Sequence, residues 1–247
     1  MAYDYKQRKQ EIDKILDSAA EVSTKKRFSN VKNETGSSLR FGHTNEGWTV
    51  SLFVDIDDLP ELKKNKDITF TKIIRFFASE VIQILNDTRL HRKIGVRDDC
   101  IFAVFDISTR EEAAEIYNMA LDINTLKHMI NEILLERKLP SINYGIGIGL
   151  TQDIVIKPDK SKIADDLIFI EAVVNASNLS GIASRDEVGS IVMDKIFYEN
   201  IREIAMKDNP DIDIYFSLDY YKHMEFYHGV AFNIEFLGWL HNGMKTV

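Results

Sequence analysis

The sequence predicts an α+β fold, in which helices cover one face of a largely antiparallel sheet. Three observations lead to this fold class. Short apolar runs that suit buried strands alternate with longer segments whose apolar residues recur at helical spacing. Of the 247 residues, 45% are hydrophobic, which is enough for one sizeable domain, with or without extensions. Neither an internal repeat nor a low-complexity tract interrupts the pattern.

The composition excludes several classes of protein. The net charge is −8 and no long basic stripe is visible, so we do not expect a nucleic acid as a partner. Cys100 is the only cysteine in the sequence, which excludes a disulfide framework and a cysteine-rich zinc site. No apolar run approaches the ~18 residues that span a bilayer, and the N-terminus lacks the apolar core of a signal peptide. We therefore expect a cytoplasmic protein without a membrane partner.

The first element is a predicted amphipathic helix over residues 5–19. Four apolar side chains recur there at helical spacing: Ile12, Ile15, Leu16 and Ala19. Residues 22–46 are polar and rich in Lys, Asn, Ser and Gly, which is typical of a linker or an irregular lead-in. We therefore divide the chain into an N-terminal helix and lead-in, residues 1–46, and a main domain, residues 47–247. The N-terminal helix could pack on its own chain or embrace a partner subunit.

The main domain is predicted to begin with a buried strand over Trp48–Ile56. A helix follows over residues 69–86, and Thr69 is a suitable N-cap for it. Residues 94–105 then suggest a hairpin, and residues 111–137 form a long amphipathic pattern that predicts a second helix.

Glycine alternates with larger residues in the next predicted strand, residues 143–150. A glycine-lined face lets another backbone or a ligand approach closely. The remaining predicted elements are a helix around 173–179, a strand at 191–193, a helix over 194–204, and an aromatic-rich tail of strands and a short helix over 214–239.

Acidic residues lie at the ends of two predicted strands. Asp55 ends the first strand, and Asp98 and Asp99 form the turn that opens the second strand of the hairpin. Carboxylates at the same end of neighbouring strands suit a hard divalent cation, and Mg²⁺ or Mn²⁺ in such a site usually accompanies a phosphate-bearing substrate. Each position also has an ordinary structural interpretation. Asp55 could cap the segment that follows, and Asp-Asp is common in turns.

Four motifs occur in an order that resembles the class III nucleotidyl cyclases. They are Phe53-Val54-Asp55-Ile56, Asp98-Asp99-Cys100-Ile101-Phe102-Ala103-Val104, Tyr144-Gly145-Ile146-Gly147-Ile148-Gly149 and Val174-Asn175-Ala176-Ser177-Asn178-Leu179. Residues 71–81, 103–105 and 166–175 are most similar to one bacterial branch, the Pycsar anti-phage cyclases that make cyclic pyrimidine nucleotides. The resemblance implies a ferredoxin-like catalytic domain with a mostly antiparallel sheet and, here, an N-terminal helical arm.

The resemblance also implies an activity and a metal site. Such an enzyme converts a nucleoside triphosphate, UTP or CTP in this branch, to a 3′,5′-cyclic monophosphate and pyrophosphate, in antiviral signalling. Asp55 and Asp99 would hold two Mg²⁺ or Mn²⁺ ions, and the carbonyl of Ile56 would be a further ligand. In this family the active sites lie at the interface of a homodimer, with the metals on one subunit and the asparagine helix on the other.

Further residues are expected to contact the substrate on the same grounds. Backbone N–H groups after Ile56, in the loop that carries Asp57 and Asp58, would cradle phosphate oxygens. Lys93 lies near one position that reads the base in related enzymes, and Asp166 or Leu167 lies near a second. The ordinary interpretation of Lys93, a solvated lysine at a strand edge, is the one that the sequence favours. The asparagine helix supplies the candidate catalytic residues Asn175 and Asn178. The aromatic rings of Phe53 and Tyr144 could narrow the base pocket, although large aromatic side chains are more often simply part of a core.

Three departures from the family pattern keep a second function open. Asp98 replaces a glycine, and Asp57 with Asp58 replaces a small turn, so both changes add negative charge near the phosphates. Leu179 stands where the family has a cation four residues after Asn175. Four residues are candidates to replace that cation: Arg185, Lys157, Lys160 and Lys162. The alternative is therefore a degenerate cyclase homologue that binds nucleotide or a partner without turnover.

Overall fold

A computed structural model of the chain describes residues 4–17, 46–57, 68–97, 100–154 and 171–245. The helices of these ranges are α1 (Tyr5–Asp17), α2 (Ile68–Leu85), α3 (Arg110–Glu136), α4 (Glu171–Ser180), α5 (Lys195–Asp208), α6 (Ile212–Tyr215) and α7 (Ile234–His241). The strands are β1 (Glu46–Ile56), β2 (His91–Arg97), β3 (Cys100–Ile107), β4 (Tyr144–Ile154), β5 (Ile191–Asp194), β6 (Phe216–Tyr221) and β7 (Met224–Gly229). The helices and strands predicted from the sequence are present, with ends displaced by a few residues.

The seven strands of the described ranges form one sheet in the order β2-β3-β1-β4-β5-β7-β6. Neighbouring strands are antiparallel, except that β4 and β5 are parallel. The predicted α+β class with a mostly antiparallel sheet is therefore confirmed.

One face of the sheet forms the main core with α2, α3 and α5. On this face Val50, Leu52 and Val54 of β1 are completely buried. They share an apolar cluster with Phe76 and Phe77 of α2. Because side chains alternate along a strand, the same pattern sends the intervening residues of β1 to the opposite face.

Two helices of the main core begin at clear capping residues. At α3 the Thr109 side chain accepts a hydrogen bond from the Glu112 N–H, and the Glu112 carboxylate accepts one from the Thr109 N–H. This capping box satisfies two backbone donors that the first helical turn leaves open. At α5 the buried Asp194 accepts from the Phe197 N–H and also from the Leu150 N–H, both at 2.7 Å. Asp194 therefore joins the start of α5 to β4.

One helix departs from the expected arrangement, because α4 packs on the opposite face of the sheet. There the glycines of β4 face the helix backbone. A Cβ atom on Gly147 would lie 2.2 Å from the Ala176 carbonyl oxygen, and one on Gly149 would lie 2.6 Å from the Ala172 carbonyl oxygen. The glycine alternation thus accommodates a helix backbone in direct contact with the strand.

The helix α1 packs on its own chain, in the manner of a packing arm. Arg8 makes two hydrogen bonds to the buried carboxylate of Glu80 on α2, at 2.9 and 2.7 Å. Tyr5 stacks on Phe236 of α7 with 4.3 Å between ring centroids, and Ile12 is completely buried. Among the described residues, no helix combines the length and apolar character needed to cross a bilayer.

Candidate active site

Asp55 lies at the end of β1, on the face that carries α4. Its backbone pairs with Cys100 of β3 on one side and Gly145 of β4 on the other. The neighbouring Val54 and Ile56 are buried in the main core, so the strand alternation turns the Asp55 carboxylate to the α4 face. The side chain keeps 19% of its surface exposed. The C-terminal end of α4 is close, since a Cβ atom on Gly181 would lie 4.0 Å from Asp55 Oδ2.

Asp57 lies two residues further on and is held by the segment before β4. Its N–H donates to the Asn143 carbonyl at 2.9 Å, and its Oδ2 accepts from Asn143 Nδ2 at 2.8 Å. Only 8% of the Asp57 side chain is exposed. The first backbone amide after Ile56, which the resemblance assigned to phosphate binding, is therefore bonded to Asn143 in this structure.

Arg185 brings a positive charge to both carboxylates. Its Nε lies 2.9 Å from Asp57 Oδ1, and its Nη2 lies 3.5 Å from Asp55 Oδ2. Its Nη1 donates to the Gly181 carbonyl. Four residues are candidates to replace the cation missing after Asn175, and Arg185 is the one of the four that lies within the described ranges. It lies beside the aspartates of its own chain.

Lys127 of α3 binds the segments that carry Asn143 and Ser184, next to Asp57 and Arg185. Its ammonium donates to the Tyr144 carbonyl at 2.6 Å, to Asn143 Oδ1 at 3.1 Å and to Ser184 Oγ at 3.2 Å. Burial lowers the pKa of Lys127 to about 8, while the charge of Asp57 acts in the opposite direction. The lysine thereby joins α3, the residue that holds Asp57, and the loop that carries Arg185.

The sequence analysis missed Lys127, although the helical pattern contains a signal for it. Ile116, Ala120, Ile123 and Ile130 form a completely buried stripe along α3. Lys127 falls four residues after Ile123 and three before Ile130, which is a core-facing position in that stripe. A lysine there needs acceptors for its ammonium group, and this requirement marks it as a residue with a structural or functional partner.

The two asparagines of α4 differ in their position relative to the sheet. Asn178 is exposed, whereas Asn175 is half-buried and its Cβ would be 3.1 Å from a Cβ atom on Gly149. Gly149 is four residues along β4 from Gly145, the partner of Asp55, which corresponds to about 13 Å along a strand. Within one chain, Asn175 is therefore well separated from the Asp55 carboxylate.

Lys93 and an aromatic pair lie on the same face of the sheet as Asp55. Lys93 pairs with Val104, beyond a register shift in β2. The rings of Phe53 and Phe102 stack with 5.2 Å between centroids. The Phe102 ring also covers Gly95, where a Cβ atom would lie 2.5 Å from the ring. The stacked rings of Phe53 and Phe102 thus form an apolar floor on this face of the sheet, near Asp55.

Tyr144 does not contribute to this floor. Of its two interpretations, the one in which it narrows the base pocket is wrong, and the one in which it belongs to the core is confirmed. Its side chain is completely buried on the main-core face, where its ring lies 4.9 Å from that of Phe77. Its hydroxyl donates to the Ile123 carbonyl at 2.7 Å. Phe53, by contrast, lies on the α4 face, two residues before Asp55 on β1.

Asp58, Asp98, Asp99 and Asp166 lie outside the described residues, so their expected roles remain predictions. Asp99 directly precedes Cys100, the residue that pairs with Asp55. Within the described ranges, no group of three or more His, Cys, Asp and Glu side chains could hold a metal ion. Asp55 nevertheless offers a partly exposed carboxylate, which is the type of ligand that a hard cation prefers.

Comparison with solved structures defines the fold. The crystal structure of the adenylyl cyclase CyaB from P. aeruginosa matches 78% of this chain and 98% of its own, with a TM-score of 0.61 and 14% sequence identity. No protein-family model matches the chain. The central sheet, with β1 between β3 and β4 and a carboxylate at its end, is thus the fold of a class III nucleotidyl cyclase.

Comparison with curated sequences defines the family. The uridylate cyclase of Treponema porcinum is 30% identical over 230 residues, which cover 89% of this chain and 78% of that protein. The uridylate cyclase of Gulbenkiania mobilis is 24% identical over 214 residues, covering 81% of this chain and 80% of that protein. The chain therefore belongs to the class III nucleotidyl cyclases, in the pyrimidine-cyclase branch that contains these two relatives. It is an enzyme of the phosphorus–oxygen lyase type, and the resemblance stated from the motifs is confirmed.

Proposed function

We propose that the protein converts UTP to 3′,5′-cyclic UMP and pyrophosphate, with CTP as the alternative pyrimidine substrate. The observation that carries this proposal is the position of Asp55. It is a partly exposed carboxylate at the end of a central strand, and its backbone partner Cys100 directly follows Asp99. Two relatives that are named uridylate cyclases support uracil as the base.

In the proposed reaction the 3′-oxygen of the nucleotide attacks the α-phosphorus, and the bond from that phosphorus to the pyrophosphate oxygen breaks. Asp55, Asp99 and the carbonyl of Ile56 would hold two Mg²⁺ or Mn²⁺ ions. When bound, such ions favour loss of the 3′-hydroxyl proton and offset the charge of the triphosphate. The chain itself places Asp55 rigidly, because its neighbours on the strand are fixed in the core.

The proposed active site is shared between two copies of the chain. Asn175 lies beside Gly149, which is about 13 Å along β4 from Gly145, the strand partner of Asp55, and we take this separation as too large for both side chains of one chain to contact the same reacting phosphate. The outer side of α4 presents Asn178 and Val174, and Val174 is 58% exposed. A second copy that faces this helix would bring Asn175 and Asn178 towards the Asp55 of its partner. The assembly is a symmetric homodimer with two equivalent sites.

The base is proposed to lie over the floor formed by Phe53 and Phe102, near Lys93. Aromatic faces suit a planar base. The ammonium group of Lys93 can only donate hydrogen bonds, and the O4 atom of uracil is an acceptor, whereas the 4-amino group of cytosine is a donor. Lys93 therefore favours UTP over CTP. Asp58 and Asp166 remain candidates for further substrate contacts. Asp57 instead binds Asn143 and Arg185 through its side chain.

The product is proposed to act as an antiviral signal in the cytoplasm. This part of the proposal follows from the similarity of the motifs to the Pycsar anti-phage branch, since a fold and a metal site do not determine biological purpose. Phage infection of a bacterial host that carries the protein with its downstream effector tests it. Protection that is lost with Asp55→Asn is the expected result, and protection that persists without cyclase activity would overturn it.

The decisive test of the activity is turnover by the purified protein. ATP, GTP, CTP and UTP are each incubated with Mn²⁺ or Mg²⁺, and the products are identified by mass. We expect cyclic UMP from UTP, its loss in Asp55→Asn, and no change in Asp208→Asn, a matched acidic substitution on the exposed end of α5. A cyclic purine product would overturn the base assignment alone. The absence of any product under all conditions would favour the nucleotide-binding homologue without turnover.

A further inference from the structure

We propose that Arg185 is the counter-ion of Asp55 in the metal-free protein and that it sets how tightly the site takes up a divalent cation. This rests on the proposed function only in taking Asp55 as a metal ligand. The guanidinium lies between two carboxylates, with Nε 2.9 Å from Asp57 Oδ1 and Nη2 3.5 Å from Asp55 Oδ2. Arg185 is then a positioning residue that acts through Asp55.

The loop that carries Arg185 is built to hold it there. The residues on either side, Ser184 and Asp186, have φ angles of 61° and 50°. Such left-handed conformations are uncommon for residues other than glycine and persist where the surroundings fix them. Ser184 is fixed on three sides. Its N–H donates to the Gly189 carbonyl, its hydroxyl donates to the Tyr144 carbonyl, and Lys127 donates to that hydroxyl oxygen.

The two carboxylates bind the guanidinium unequally. Asp57 is the more buried, and both of its oxygens accept hydrogen bonds, one from Arg185 and one from Asn143. Asp55 is more exposed, and its contact with Arg185 is 0.6 Å longer than that of Asp57, at 3.5 against 2.9 Å. The geometry therefore makes Asp57 the anchor of the arginine. The contact with Asp55 is the one that can be released when another cation arrives.

This arrangement has a predictable effect on metal binding. A divalent cation bound at Asp55 would lie within a few ångströms of the Arg185 guanidinium, because Asp57 holds that group in place. Like charges at such distances repel appreciably even where solvent screens them. The arginine thus weakens cation binding, and it also keeps the Asp55 carboxylate in place while the cation is absent. Removal of its charge should tighten cation binding, whereas a purely structural role would predict weaker binding or none.

The test measures Mn²⁺ binding to the full chain without nucleotide, by electron paramagnetic resonance of the free ion. We expect Arg185→Gln to lower the Mn²⁺ dissociation constant by about ten-fold, since one nearby repulsive charge is removed. Arg185→Lys keeps the charge and should remain within about two-fold of the wild type. Arg110→Gln removes an arginine that pairs with the exposed Glu203 instead, and it should change nothing.

The outcomes divide as follows. Tighter binding in Arg185→Gln alone supports the proposal. Unchanged or weaker binding in Arg185→Gln, with a far-ultraviolet circular dichroism spectrum like that of the wild type, overturns it. If Arg185→Gln does not fold, a double variant, Arg185→Ala with Asp57→Asn, removes both members of the anchoring pair. The double variant should then bind Mn²⁺ about ten-fold more tightly than the single variant Asp57→Asn. Binding that Asp55→Asn leaves unaffected would overturn the metal assignment itself, so failure of the proposed function is visible separately.

Discussion

The two faces of the sheet follow different rules. On the main-core face, large apolar side chains of β1 are enclosed by three helices, and Val50, Leu52 and Val54 have no exposed surface. On the α4 face, the same strand presents Ser51, Phe53 and Asp55, and the helix that covers this face in the described ranges is the short α4, which lies directly on glycines. Buried apolar packing is thus concentrated on one side of the strand, and the proposed active site lies on the other. Substitutions on β1 should separate the two by their position alone.

The largest expected effect is on the α4 face. Asp55→Asn removes the charge that the proposed metal site needs and should lower cyclase activity by roughly 10³-fold. The free energy of unfolding should change little, because the side chain is partly exposed and an amide has the same shape. Initial rates of pyrophosphate release and urea unfolding of the same preparations measure both quantities. A strongly destabilised Asp55→Asn would show that the two faces are not separable.

Leu52→Ala, on the main-core face, should lower stability and leave activity largely unchanged. Leu52 is completely buried among the helices, so its truncation leaves a cavity and should cost about 2–5 kcal/mol of unfolding free energy. The cyclase activity of the folded fraction should stay close to that of the wild type at low temperature. Urea unfolding and steady-state rates test this. An activity loss much larger than the unfolded fraction explains would count against the comparison.

Gly147→Ala tests the close contact on the α4 face. The new Cβ atom would lie 2.2 Å from the Ala176 carbonyl oxygen and 2.2 Å from the Ser180 nitrogen, so α4 must shift. We expect a loss of about 1–3 kcal/mol in unfolding free energy, as for overpacking elsewhere, together with a loss of activity. Gly238→Ala is the matched control, since nothing lies within 4 Å of its Cβ position in α7. There the higher helix propensity of alanine should stabilise slightly, by up to about 1 kcal/mol.

The smallest effect is a pH dependence that comes from Lys127, the residue that joins the two faces. Burial lowers its pKa to about 8 in the folded state, from 10.5 in the unfolded chain. Between these values the unfolded chain binds more protons, so the contribution of Lys127 should make the protein more stable as the pH rises from about 8 to 10.5. Below pH 8 the full destabilisation by the buried charge is present. Lys127→Gln should remove this slope in urea unfolding curves, and a slope that is retained would assign it to another group.

Hydrophobic periodicity was sufficient to predict the main-core face. The alternation in β1 and the stripes of α2 and α3 follow from burial of one side of each element, which the sequence records directly. The same parity rule places Tyr144 with Ile146 and Ile148 in the core. The candidate metal ligand Asp55 was also predictable, because a carboxylate directly after a buried run is conspicuous.

The contacts around Asp55 were less accessible from the sequence. Arg185 reaches Asp57 across 128 positions of the chain, and it lies in a loop without periodicity. Arg8 and Glu80 similarly meet across 72 positions. Pairs of this kind depend on how helices and loops are placed in three dimensions, and charged residues are too common in the sequence for a pairing to be read from it. The role of α4 was predictable only in part. The alternating glycines of β4 predicted that a backbone or a ligand lies close to the strand, but they did not identify it as α4.

The central position of β1 has a consequence for synthesis of the chain. This strand emerges from the ribosome before β3 and β4, and its pairing with β4 joins Glu46 to Ile154, about a hundred residues later. At ~5–20 residues per second, its hydrogen-bonding edges wait roughly 5 to 20 s for their last partner. An apolar strand with unpaired edges is prone to associate with other chains. Nascent protein should therefore depend on chaperones, or on slow translation, more than its final stability would indicate.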